Sequence, residues 1–127
     1  MRTLVLELVG DEIAVVKAAI ATGLQELERT GQSEYDHARL AALARRVDAL
    51  PDRARTRLPL QPEDAELLRA CVTRVMAMRG YFAGRPAAIV ALASVRTKLD
   101  RLLEGGWWPR LARYVRSACL DGTHDTT

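Results

Sequence analysis

Shifted by 52 positions, this sequence falls onto itself without a gap: "LELVGDEIAVVKAAI" at residues 6–20 lies over "LPLQPEDAELLRACV" at residues 58–72. Leu6, Leu8 and Ala18 meet Leu58, Leu60 and Ala70, and the acidic pair Asp11-Glu12 meets Glu63-Asp64. The register persists to the end of the unit, where Leu40, Ala41, Asp48 and Leu50 meet Leu92, Ala93, Asp100 and Leu102. Seven identities are few, but the apolar positions coincide along with them, as expected of a duplicated unit. Whatever residues 4–52 form, residues 56–104 are expected to form again.

Each unit opens on a short alternating stretch, Leu4-Val5-Leu6-Glu7-Leu8 in the first and Arg57-Leu58-Pro59-Leu60 in the second. Alternation predicts a strand, and Pro59 restricts its copy to an edge or an extended arm. Acidic residues then mark a helix start, after Gly10 in one unit and after Pro62 in the other. The first helix carries Val16, Ile20, Gly23 and Leu27 on one stripe; its counterpart carries Leu68, Cys71, Val72 and Val75. After a break, Ser33 with Asp36 predicts a helix cap and Pro86 a first-turn proline. The second helices repeat one apolar seam, Leu40, Leu43, Val47, Leu50 against Leu92, Val95, Leu99, Leu102. Residues 51–57, "PDRARTR", read as the linker between units.

The expected fold is therefore all-α, predominantly helical: a duplicated helical hairpin forming a four-helix core, with two short extended segments able to pair as a small β-ribbon. Units related by a twofold axis would place those segments antiparallel. A lone two-stranded ribbon is marginal, so it must pack on the helices or pair with another chain. A single domain of residues 1–120 is expected, with residues 121–127 as a disordered tail.

A short helix over 108–119, outside the repeat, completes the expectation. On a helical wheel Trp108, Leu111, Ala112, Val115, Ala118 and Cys119 fall on one side, with Arg110, Arg113 and Arg116 on the other. Gly105-Gly106 separates it from the preceding helix. So short a helix needs something to dock on. Its own core is one seat; a partner protein or a second copy is another, since Trp and Arg are enriched at interface hot spots.

Chemistry has few candidates. The two histidines, His37 and His124, have no positioned partner, and Asp36 beside His37 points elsewhere on a helix. No carboxylate-histidine metal motif, phosphate-binding glycine loop or nucleophile with a base occurs, so no enzyme, metal or cofactor is expected. Cys71 reads as a small core residue. The basic residues are seventeen arginines and only Lys17 and Lys98, yet the net charge is just +3, which argues against a concentrated nucleic-acid patch. Arg45, Arg46, Arg53, Arg55 and Arg57 are the residues a phosphate-backbone binder would use, with Asp48 and Asp52 interleaved. A pocket between the hairpins, with room left by Gly23 and Ala70, is a further alternative, a small-ligand sensor.

The function expected from the sequence is a cytoplasmic, non-enzymatic protein-protein interaction or assembly module, self-associating as a homodimer, without a membrane partner. Trp107, Trp108, Leu111, Val115, Arg110 and Arg113 are its expected interface.

Overall fold

Leu4–Leu8 (β1) and Thr56–Leu60 (β2) pair antiparallel, and around them run four helices: Asp11–Thr30 (α1), Glu34–Asp48 (α2), Pro62–Ala77 (α3) and Pro86–Glu104 (α4). These come from a computed structural model that describes residues 3–31, 33–51, 55–78 and 84–104. The expected helix over 108–119, the tail 121–127 and the interface residues Trp107, Trp108, Arg110, Leu111, Arg113 and Val115 lie outside the described residues, as does Arg53. Among the described residues the molecule is predominantly helical, with one two-stranded sheet.

Alternation in β1 puts Leu4, Leu6 and Leu8 inward, and Leu58 and Leu60 do the same from β2. The ribbon is stable because these five leucines are buried on the helices, each contributing about 2 kcal/mol. The N-terminal strand thus pairs within its own chain. Its register centres on Leu6 opposite Leu58, the two leucines that coincide when the sequence is shifted. β1 and β2 start 52 residues apart, and so do α2 and α4.

Local chemistry ends and starts the helices where expected. Gly31 closes α1 in the left-handed region, φ +63°, its amide bonding to the Leu27 carbonyl at 2.8 Å. The Ser33 hydroxyl accepts from the Asp36 amide at 3.1 Å and caps α2. Pro62 and Pro86 occupy the first positions of α3 and α4. All four helices and both strands feed one core, with Ile13, Ile20, Leu40, Leu43, Leu68, Leu92 and Leu99 fully enclosed.

The structure corrects the sequence expectations in four places. β2 begins at Thr56, one residue earlier than the alternation gave, because Thr56 pairs with Leu8. Leu103 rather than Leu102 is the buried end of the α4 seam, since at about 100° per residue position 103 lies only about 20° from Leu92 around the helix and position 102 about 80°. Leu50 lies beyond the end of α2 and is only half-buried. Ala70 is exposed on the outer side of α3, so it leaves no room between the hairpins.

Candidate functional site

Two acidic residues are buried at the starts of the first helix of each half, Glu12 in α1 and Asp64 in α3. Glu12 follows Gly10, whose positive φ of 58° turns β1 into α1. Its Oε1 accepts from the Val9 amide at 2.9 Å and from Lys98 Nζ at 2.6 Å, and its Oε2 accepts from the Ser94 hydroxyl at 2.6 Å. Burial alone would raise the Glu12 carboxyl. The hydrogen bonds from Lys98, Ser94 and Val9, with the Lys98 charge, outweigh burial and hold it below its ordinary value. Asp64 is gripped by Arg39, whose Nη2 lies 2.9 Å from Oδ1 and which also hydrogen-bonds the Tyr35 hydroxyl.

The ribbon's edges are held in the same manner. Lys98 donates to the Glu7 carbonyl at 2.9 Å, and Arg46 donates to the Pro59 carbonyl. The two cations stand 52 residues apart, and so do the two acceptors. Each second helix therefore places one cation on the edge of one strand, where it occupies an acceptor that an added strand would need. The two short strands, which the sequence leaves as open docking edges, carry these guards.

These clusters are clamps. Every oxygen of Glu12 already has a donor, and the carboxylate stays ionised. The Cys71 thiol is pushed up to about 11 by burial, out of the range of a working nucleophile. His37 lies on the rim, Nε2 3.1 Å from Glu28 Oε2. Among the described residues no three His, Cys, Asp or Glu side chains converge as a metal site.

The expected phosphate-binding arginines are dispersed in what they do. Arg57 faces Glu7 across the ribbon at 3.3 Å, Arg46 is taken up by β2, and Arg45 and Arg55 are exposed. Gly23, expected to leave space between the hairpins, is closed over instead. A Cβ there would stand 2.4 Å from the Cys71 sulfur and 3.1 Å from a Leu40 methyl.

What the sequence reading passed over is the first half of α4. Residues 86–93, "PAAIVALA", are apolar on every side of the helix. One side buries Ala91 and Leu92, leaving Pro86, Ala87, Ile89, Val90 and Ala93 exposed, with Ile89 at 51% and Val90 at 68%. The corresponding turns of α2 carry Glu34, Tyr35, His37 and Ala38. An unbroken apolar run of eight residues was the available signal. The seam positions alone do not reveal it, because they give only the buried side of the helix.

Two separate hollows flank α4: Ala87, Val90, Ala91 and Ser94 line one with Val9, Asp11 and Glu12, and Lys98, Arg101 and Leu102 line the other with Val5, Glu7 and Arg57. No described helix is long and apolar enough to cross a membrane. Comparison with protein-family models, curated proteins and solved structures finds no match to this chain.

Proposed function

We propose that this chain is a non-enzymatic, cytoplasmic protein-interaction or assembly module, a duplicated helical hairpin that associates with a second copy of itself. The observation that carries the reading is the exposed apolar start of α4. Folding does not require apolar residues there, because α2 occupies the matching place in its own hairpin with Glu34, Tyr35 and His37. Ile89 and Val90 are large apolar side chains exposed side by side on α4. Contiguous exposed apolar surface of this kind marks protein contact sites. The duplication is supported by the 52-residue spacing of the strands, of α2 and α4, and of the two cations on the ribbon edges.

In this reading the exposed face of α4 meets the same face of a second copy about a twofold axis, and the segment carrying Trp107, Trp108, Arg110, Leu111, Arg113 and Val115 widens the contact. Light scattering on the intact chain is the test. A dimer insensitive to salt is expected, with Ile89→Glu and Val90→Glu together giving a folded monomer whose cooperative melt no longer depends on concentration. A monomer at every concentration overturns the proposal. The phosphate-backbone reading receives less support, because Arg46 and Arg57 already have partners in the ribbon.

A further inference from the structure

We infer that the second copy docks antiparallel on α4 in one register: the two helices cross at Ala93-Ser94, and Asp11 of each copy pairs with Arg101 of the other. The inference rests on the self-association proposed above and specifies its geometry.

The exposed stripe is the first argument. Pro86, Val90, Ala93, Thr97 and Arg101 recur at intervals of three and four along α4, and all of them are exposed. Val90 and Thr97 stand at equal distances from the midpoint between Ala93 and Ser94, and so do Pro86 and Arg101. With a twofold axis at that midpoint, Val90 of each copy meets Thr97 of the other, and Pro86 meets Arg101. Ala93 keeps bulk away from the crossing, where the helix axes come closest.

Charge is the second. Asp11 and Arg101 are both exposed, and neither forms an ion pair among the described residues. Asp11 lines a hollow beside Pro86 and Ala87. Arg101 lines another beside Val5 and Glu7, where the Glu7 carboxylate already has Arg57. Both charges thus stand on the flank of α4 that faces β1 and its turn into α1. A twofold antiparallel pair brings this flank of one copy against the same flank of the other. From Ala87 to Arg101 is roughly 21 Å at about 1.5 Å per residue, too far for pairing within one chain. Antiparallel docking closes that distance at both ends. A parallel pair would set equal heights side by side and leave the charges as far apart as before.

The other half of the molecule supplies the third. Glu63, 52 residues after Asp11, is met within its own chain by Arg39 at 3.5 Å. The residue 52 positions before Arg101 is Ala49, and the one before Val90 is Ala38. The half whose acid is satisfied carries neither the second charge nor the large apolar side chain. The half with the exposed stripe carries both charges unspent. Charge pairs at an exposed rim fix register and contribute little affinity, so the dimer remains largely insensitive to salt.

Charge reversal tests the register, with the dissociation constant read from light scattering on a dilution series and folding followed by circular dichroism. Asp11→Arg alone and Arg101→Glu alone each turn two attractive contacts into two repulsive ones, and each should weaken the dimer roughly tenfold or more. An equimolar mixture of the two variants should form a heterodimer close to the unaltered affinity, because every altered charge then faces its opposite. Both changes on one chain should restore the homodimer in the same way. Arg45→Glu, an exposed reversal on α2, should change the affinity less than twofold. Single reversals without effect overturn the register while self-association stands. Weakening that neither the mixture nor the double variant repairs overturns it too, as does equal weakening by Arg45→Glu. An unaltered chain that is monomeric at every concentration refutes self-association itself, and the register with it.

Discussion

Glu12 illustrates how a single charge is kept inside this fold. Its carboxylate has given up water and received three donors, one from its own strand-to-helix turn and two from α4, about 80 residues away in sequence. Because its folded pKa lies below the unfolded value of 4.5, the charge adds stability above that value, and this contribution is lost as pH falls through the folded pKa. Glu12→Gln is expected to cost roughly 1–3 kcal/mol at neutral pH and to flatten the loss of stability below pH 4.5. Urea unfolding across pH measures both. Gly23 makes the opposite case, of a missing atom. An alanine in mid-helix ordinarily stabilises by up to about 1 kcal/mol. Here the added methyl meets the Cys71 sulfur, so Gly23→Ala should destabilise by roughly 1–3 kcal/mol. Pairing it with Cys71→Ala should recover part of that loss, and a double-mutant cycle gives the coupling.

Elements in this chain are bounded by residues whose role is local, which is why their limits were readable. Ser33 caps α2 through its hydroxyl, and Ser33→Ala should cost about 1 kcal/mol, with amide exchange accelerated in the first turn of α2 and not in α4. The prolines at the heads of α3 and α4 and Gly31 at the foot of α1 follow the same logic. The ribbon is different, because two strands of five residues do not hold each other. It exists because its leucines are buried on four helices and because Arg46 and Lys98 sit on its edges.

The two halves of the molecule are joined throughout. β1 pairs with β2, α1 lies against both α3 and α4, and ion pairs such as Arg74–Glu26 and Arg39–Asp64 cross between halves at the rim. Neither half encloses its own apolar face. A fragment of residues 1–51 is therefore expected to show no cooperative thermal transition, whereas the whole chain melts in one. A fragment with a sharp melt of its own would mean that each hairpin is a separate folding unit.

The sequence by itself determined the elements: helices at the 3.6-residue period, strands at the period of two, and caps at serine, proline and glycine. Such signals are local, and each residue carries its part without knowing its neighbours in space. The tertiary structure alone decided what faces what. It placed Ser94 and Lys98 on Glu12, filled the space above Gly23 with Cys71, turned Ala70 outward, and left Ile89 and Val90 exposed. Those outcomes depend on how side chains from distant segments share one volume and one set of hydrogen-bonding groups, and no periodicity along the chain encodes that sharing.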